Sequence, residues 1–174
     1  GGQIVHAPSD TMDFYAESPA RKRAIETPQV EIPPDIERAD PPLPIDDSDQ
    51  GSDTGETETH KAWHRQHAAI AIDIERDIIT DKGTEVYSYL QHRGIEHLLI
   101  LGVHSNMCVL HRTFAIKQMV RWGVDVALIR DLTDAMYNPA MPPYVSHAQG
   151  TGLVIEFIEK FWCPSVESGD ILGA

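Results

Sequence analysis

The stretch from Leu98 to Gly123, LLILGVHSNMCVLHRTFAIKQMVRWG, constrains this chain more than any other. Leu98, Leu99, Ile100 and Leu101 form a short apolar run closed by Gly102, the pattern of a strand covered on both faces. A tight polar turn comes next, and then an amphipathic helix over about 106–122 with Cys108 in its first turn. Met107, Leu110, Phe114 and Val120 recur near helical spacing, and Gly123 is a natural stop. A cysteine so placed sits where unpaired backbone N–H groups and the helix dipole favour a negative charge, which suits a nucleophilic thiolate. The C-terminal ends of parallel strands are also where open α/β sheets hold ligands. The alternative reading of Cys108 is a small buried hydrophobe, since cysteine is among the most buried residue types.

At 174 residues the chain suits one domain, 1–174, with a sizeable core. Its net charge of -13 argues against nucleic acid and against anionic membrane surfaces as partners. Residues 28–58 carry ten acids against one base, Arg38, and so hold nine of the thirteen net negative charges. The acidity therefore describes a loop rather than a binding face. The same segment has six prolines and no apolar periodicity, which predicts a long excursion that is either a functional lid or disordered. No apolar run approaches the length of a membrane span. The chain opens Gly-Gly and runs at once into IVHA, which reads as a processed or truncated start; a cytoplasmic location is the expectation. Two cysteines are too few for a disulfide framework, and Cys163, in FWCPS, reads as a packing residue.

The pattern along the chain predicts a strand at 3–7, with Ser9 or Asp10 capping the next segment and Pro19 limiting any helix before Ala24. A helix over His60–His67 should lead into a strand at Ala68–Ile74. A helix from Gly83 to Arg93 ends at Gly94. Strand 98–103, helix 106–122 and strand 124–129 come in turn, then a helical turn over Asp131–Met136 and a final helix over Thr151–Trp162 burying Leu153, Phe157, Ile158 and Phe161. Strands alternating with helices mean an α/β fold, a three-layer α/β/α arrangement around a mostly parallel, Rossmann-like sheet. His60, His64 and His67 fall on one helical face at a spacing that can bind zinc, but they read as solvated or locally hydrogen-bonded, and no metal is expected.

GVHSNMCV followed by a helix and then GVDVALIRDLTDA resembles the isochorismatase-like cysteine hydrolases, which include the nicotinamidase-related amidases. IVHAPSDTMDFY and YVSHAQGTGLVIEFIEKFWCPS resemble one bacterial branch of that family, so the likeness covers most of the chain outside 28–58. It implies a hydrolase that cleaves a C–N amide bond of a small molecule, with Cys108 as nucleophile, a thioester intermediate and no cofactor, working as a homo-oligomer. The cysteine favours amide chemistry over vinyl-ether hydrolysis. The resemblance also implies an oxyanion pocket at the turn Val103, His104, Ser105, Asn106, with a cis peptide at Val103–His104 and His104 lining the site. The family pairs its cysteine with a lysine and an aspartate. The lysine should fall near Ile74–Asp77, where this chain reads IERD; Lys82 lies in a different turn, and Arg76 does not shuttle protons. The aspartate belongs to a strand expected before residue 3, next to strand 98–103. Asp131 and Asp134 resemble a family turn in which they cap the next helical turn, and His147 falls where the family chain returns to the pocket, or is a satisfied loop histidine. A non-catalytic binding or assembly module is the alternative.

Overall fold

Seven residues, His97–Val103, form strand β3, and ten, Asp125–Asp134, form β4; the two run parallel. In the computed structural model, which describes residues 2–52, 54 and 63–173, this pairing sets the frame of one of two compact units. His97 to Ile100 pair in step with Asp125 to Leu128, and the register then slips, so that Gly102 faces Thr133 and Val103 faces Asp134. β4 thus uses five residues where β3 uses two. The bulged residues are employed: Arg130 reaches Glu159 (3.3 Å) and Glu167 (3.6 Å), and Asp131 accepts the Ser168 N–H (2.8 Å). A short β5, Ser165–Val166, pairs with Leu128 and Ile129, giving a parallel order β3–β4–β5.

This unit comprises Pro33–Thr57 and Glu96–Ala174. Its helices are α4 (Cys108–His111), α5 (Ile116–Arg121), α6 (His147–Phe161) and α7 (Ser168–Leu172). Its buried residues include Leu110, Ile116, Met119, Leu128, Val154 and Ile158. The other unit, Gly1–Ile32 with Glu58–Ile95, holds β1 (Val5–His6) parallel to β2 (Ile78–Ile79), with α1 (Met12–Tyr15), α2 (Pro19–Glu26) and α3 (Gly83–Arg93). There Ala24, Ile78 and Tyr89 pack together, as do Tyr15, Ala20 and Ile79. Arg21 forks onto buried Glu85, which Thr80 also bonds (2.5 Å), so the ion pair has its hydrogen bonds satisfied. The protein is therefore α/β, with parallel sheets of two and three strands. Among the described residues no helix is long and apolar enough to cross a membrane.

Several expectations need correction. β3 is not covered on both faces. It is an edge strand, and Leu99, Leu101 and Val103 are 40%, 53% and 58% exposed. The single helix over 106–122 is two short ones, because a continuous helix would turn Arg112 or Thr113 onto the face that buries Val109, Ile116 and Val120; Arg112 and Ala115 are extended instead. The helical turn at Asp131–Met136 is strand as far as Asp134. The strand expected at Ala68–Ile74 is irregular chain, and β2 lies later at Ile78–Ile79, two fully buried isoleucines behind a charged stretch. Pro19 starts α2 at its first turn, where its missing N–H costs nothing, and the helix runs on to Glu26. Asp10 sits at φ +62°, and Thr11 rather than Ser9 or Asp10 precedes α1. α3 has the expected bounds, closed by Gly94 in the left-handed region.

α6 begins four residues earlier than expected, behind a Ser146–Gln149 capping box. Its two glycines differ. A Cβ on Gly150 would stand 2.2 Å from the Tyr137 ring, whereas one on Gly152 meets nothing within 4 Å. Gly150→Ala should therefore destabilise the protein by about 1–3 kcal/mol through overpacking, while Gly152→Ala should stabilise it by up to about 1 kcal/mol. Denaturant melts of the two variants check the opposite signs.

Candidate functional site

The C-terminal ends of β3 and β4 come together at the register Val103 to Asp134, and the turn after β3 is built on that contact. The Val103–His104 peptide is cis, at the bond where the resemblance implies one. Ser105 N–H donates to the Asp134 carbonyl (2.7 Å), and the Thr133 hydroxyl donates to the Gly102 carbonyl (2.7 Å). Met107 and Val109 N–H groups both reach the His104 carbonyl, folding the chain into α4. Among the described residues the N–H groups of Asn106 and Cys108 have no backbone acceptor.

Each residue expected at the site has a definite place. Cys108 is half-buried and heads α4. That helix is a single turn, so the long dipole expected from a helix over 106–122 is not there. Val103 is exposed, and His104 is half-buried at the turn. Ser105 is fully buried, and its hydroxyl has no partner among the described residues. The Asn106 side chain is a clamp: its amide oxygen accepts the Met136 N–H (2.8 Å), and its NH₂ donates to the Met136 carbonyl (3.1 Å) and to Asp47 (2.7 Å). Only the backbone of Asn106 is left to act on a ligand. Cys163 is buried, and its thiol is pushed up to about 12, chiefly by burial and also by nearby Glu159. It packs, as expected, and it is not a nucleophile at neutral pH.

Asp134 and His147 form the second polar group at this end of the sheet. His147 lies in the first turn of α6, not in a loop; its Nε2 meets Asp134 Oδ1 at 2.9 Å and its Nδ1 meets the Tyr137 carbonyl at 2.9 Å. Both acceptors favour the doubly protonated ring, and the Tyr137 carbonyl, then Asp134, raise His147 above the ordinary imidazole value. Burial would lift Asp134, but hydrogen bonds from Thr151 (2.8 Å) and His147 outweigh it and hold the carboxyl low. Asp131 belongs elsewhere, bonding Ser168 at the head of α7.

Sequence reasoning missed a third group. Lys117 of α5 is 7% exposed, with its ammonium 2.5 Å from Asp40 and 5.1 Å from the centre of the Trp162 ring. Arg121 reaches the same carboxylate at 3.4 Å and the same ring at 5.2 Å. Around this pair the acidic segment is tied along its length: Asp35 to Gln118, the Ile36 N–H to the Arg121 carbonyl, Asp47 to Asn106 and Asp49 to Asn138. Over 33–52 the segment is thus an ordered strap, fixed by its own acids, although it holds no helix or strand. An open cleft of about 520 Å³ lies along it, walled by Pro42, Pro44, Ile45, Asp46, Asp47 and Pro143. His111, at the other end of α4 from Cys108, feels this cluster. Loss of water and then the Lys117 cation lower it below the ordinary imidazole value, while Asp40 and Asp47 pull the other way.

The other unit holds no lysine at Ile74–Asp77. Arg76 donates to the Gly2 carbonyl, Asp77 pairs with buried His6 (3.1 Å), and Lys82 stands 3.7 Å from Glu85. Of the histidine run, His60 lies outside the described residues, and 63–67 are not helical, so the expected shared face is not formed by His64 and His67. Among the described residues no three His, Cys, Asp or Glu side chains are grouped to hold a metal. Compared with known proteins, the chain matches no family model, no curated protein and no solved structure.

The ion pairs lead to two expected outcomes. His147, raised in the folded state, contributes stability below its ordinary value of 6.5 and loses it as pH rises through the folded value; Asp134, held low, contributes above 3.8 and loses it as pH falls. The stability gap between the wild type and His147→Gln should therefore be widest between those two ordinary values and close at higher pH. It should stay near or under about 1 kcal/mol, because both side chains are about half exposed. Thermal melts across pH measure it. Asp40→Ala leaves the buried Lys117 ammonium without its carboxylate, at a cost of about 1–3 kcal/mol. It should also speed proteolytic cleavage within 33–52, read by mass mapping of the first fragments.

Proposed function

We propose that this chain is a cysteine hydrolase acting on the C–N bond of a small amide, in the manner of the isochorismatase-like family that its GVHSNMCV segment resembles. The observation that carries this reading is the contrast between its two thiols: Cys108 is half-buried beside two N–H groups with no backbone acceptor among the described residues, while Cys163 is sealed in the interior. In this reading the Cys108 thiolate adds to the amide carbonyl, forming an S–C bond and moving the carbonyl electron pair onto oxygen. The Asn106 and Cys108 N–H groups hold that oxyanion. Collapse breaks the C–N bond; the nitrogen takes a proton and leaves as amine or ammonia. Water then adds to the thioester, releasing a carboxylate and restoring the thiol. Rigidity supports this use, because the Asn106 clamp and the Ser105–Asp134 bond fix the turn before substrate arrives.

A second reading, a non-catalytic module that binds or assembles, draws on the open edge of β3 with Leu99, Leu101 and Val103 exposed, and on the absence of a lysine at 74–77. The two readings separate in one experiment. The protein is incubated with a panel of small primary amides and quenched, and intact mass is measured with and without hydroxylamine. The hydrolase reading expects an acyl adduct on Cys108 that hydroxylamine removes, together with ammonia release that Cys108→Ala abolishes. Ammonia release unchanged in Cys108→Ala, or no adduct and no release with any amide, would favour the module.

A further inference from the structure

We propose that the cleft along the strap receives the far end of the substrate, and that the amides this chain cleaves are small cations; the assignment rests on the cysteine-hydrolase reading of the site. The cleft lies within one unit. One wall is the strap, with Pro42, Pro44 and Ile45, and the facing wall is Pro143. The Asp46 N–H donates to the Pro142 carbonyl (2.9 Å), which ties the two walls together. Beyond the cleft Asp49 holds Asn138 (2.8 Å), and Gly51, at φ +69°, passes so close to Met136 that a Cβ there would stand 2.7 Å from its side chain. The proline rings fix part of each wall's backbone. Little order therefore has to be imposed when a ligand enters.

The lining sets the chemistry of the occupant. Proline rings and the Ile45 side chain offer apolar contact to the body of a small molecule. The charged groups are two half-buried carboxylates, Asp46 and Asp47. Asp46 accepts the Ser48 N–H (2.9 Å), and Asp47 accepts the Asn106 NH₂ (2.7 Å). Both partners are neutral. Among the described residues neither carboxylate is in an ion pair, whereas Asp40 of the same strap takes Lys117 and Arg121. The Ser48 side chain, then its N–H, holds Asp46 below the usual carboxylate range, so its charge persists near neutral pH. Apolar walls with uncompensated negative charge, in a chain of net charge -13, draw a cation and repel a carboxylate. Asp47 also joins the cleft to the reacting centre. Its carboxylate ends on the Asn106 side chain, whose own backbone N–H is one of the two proposed oxyanion donors, and Cys108 follows two residues on. An amide carbonyl held at the turn thus has the acidic cleft one asparagine side chain away. A molecule with an amide at one end, a short apolar linker and an ammonium group at the other meets both. The ammonium group takes no part in the bond changes: the C–N bond of the amide breaks, ammonia leaves, and the product carries a carboxylate in place of the amide.

The test compares two primary amides of one shape: the amide of γ-butyrobetaine, whose far end is a trimethylammonium group, and its neutral isostere with carbon in place of that nitrogen. Binding of each to the full chain carrying Cys108→Ala, which prevents turnover, is measured by titration calorimetry at low and at high salt. The cation should bind roughly fivefold or more tightly than the isostere, and high salt should remove most of the difference. Replacing both carboxylates, Asp46→Asn with Asp47→Asn, keeps the side-chain shapes and should bring the two affinities together. The salt comparison needs no substitution in the cleft, so it decides even where that double variant does not fold. Equal affinities, tighter binding of the isostere, or no binding of the cation would overturn the assignment. Ammonia release by the wild-type chain is read separately. Preference for the cation with no release from either amide would keep the cleft's ligand and discard the hydrolase. Release from both amides at equal kcat/KM, with equal affinities, would keep the hydrolase and discard the cationic substrate.

Discussion

The slip in register between β3 and β4 is the constraint on which the candidate site depends. Had the strands stayed in step beyond Ile100, Gly102 would face Arg130 and the β3 end would be spent in regular ladder. The bulge instead brings Thr133 and Asp134 beside Gly102 and Val103. From there the Asp134 carbonyl takes the Ser105 N–H, the turn closes onto the His104 carbonyl, and α4 starts at Cys108. The extra β4 residues do not dangle. Arg130 and Asp131 are drawn to Glu159, Glu167 and Ser168, so the irregularity is held by charge-assisted contacts on its outer side. One local distortion therefore positions the Cys108 turn on one strand and the Asp134–His147 pair on the other.

The acidic segment obeys a different logic. A stretch with ten carboxylates, six prolines and little apolar surface cannot order itself by burial. Here four of its aspartates find a donor each along the chain from Asn106 to Asn138, and one of them, Asp40, takes two cations at once. The strongest of these contacts is the least exposed, because Lys117 is sealed against the Trp162 ring and its charge has no water to fall back on. Ordering comes from satisfying buried or partly buried donors on the unit, rather than from any tendency of the segment itself.

How much could be read from sequence was set by how local the cause is. α3 was legible to the residue because Gly94 stops it with a left-handed turn, and β3 because four apolar residues run into Gly102. The break between α4 and α5 was hidden: Met107, Leu110, Phe114 and Val120 suggest one helix, and only packing shows that Arg112 and Thr113 would fall on the buried face. The start of α6 was masked by Gly150 and Gly152, although Ser146 and Gln149 carry a capping-box signal three residues apart. β2 is two residues long and too short for any periodicity to register. Cys108 stood out because strand, turn and helix all point to it. Lys117 did not, since in sequence it is one more polar residue of an amphipathic stretch. It meets Asp40 across 77 positions, a contact no local pattern encodes.

The division of labour within the turn is set by the bonds its atoms already make. Asn106 places its whole side-chain amide on Met136 and Asp47, and Ser105 gives its backbone N–H to the Asp134 carbonyl, so the turn is pinned on both strands' ends. That commitment would serve the proposed hydrolase. A backbone N–H stabilises developing charge most when it is fixed beforehand and need not be turned at the moment of reaction. The Asn106 and Cys108 N–H groups lie between residues whose backbone N–H groups, those of Ser105, Met107 and Val109, are already bonded. The Asn106 side chain therefore acts by immobilising the backbone, which in the proposed hydrolase leaves the chemistry to the Cys108 thiol and two backbone N–H groups. For that reason a substitution of Asn106 would remove no free side-chain donor: it would loosen the frame of the turn, while leaving Cys108 at the head of its own turn of helix.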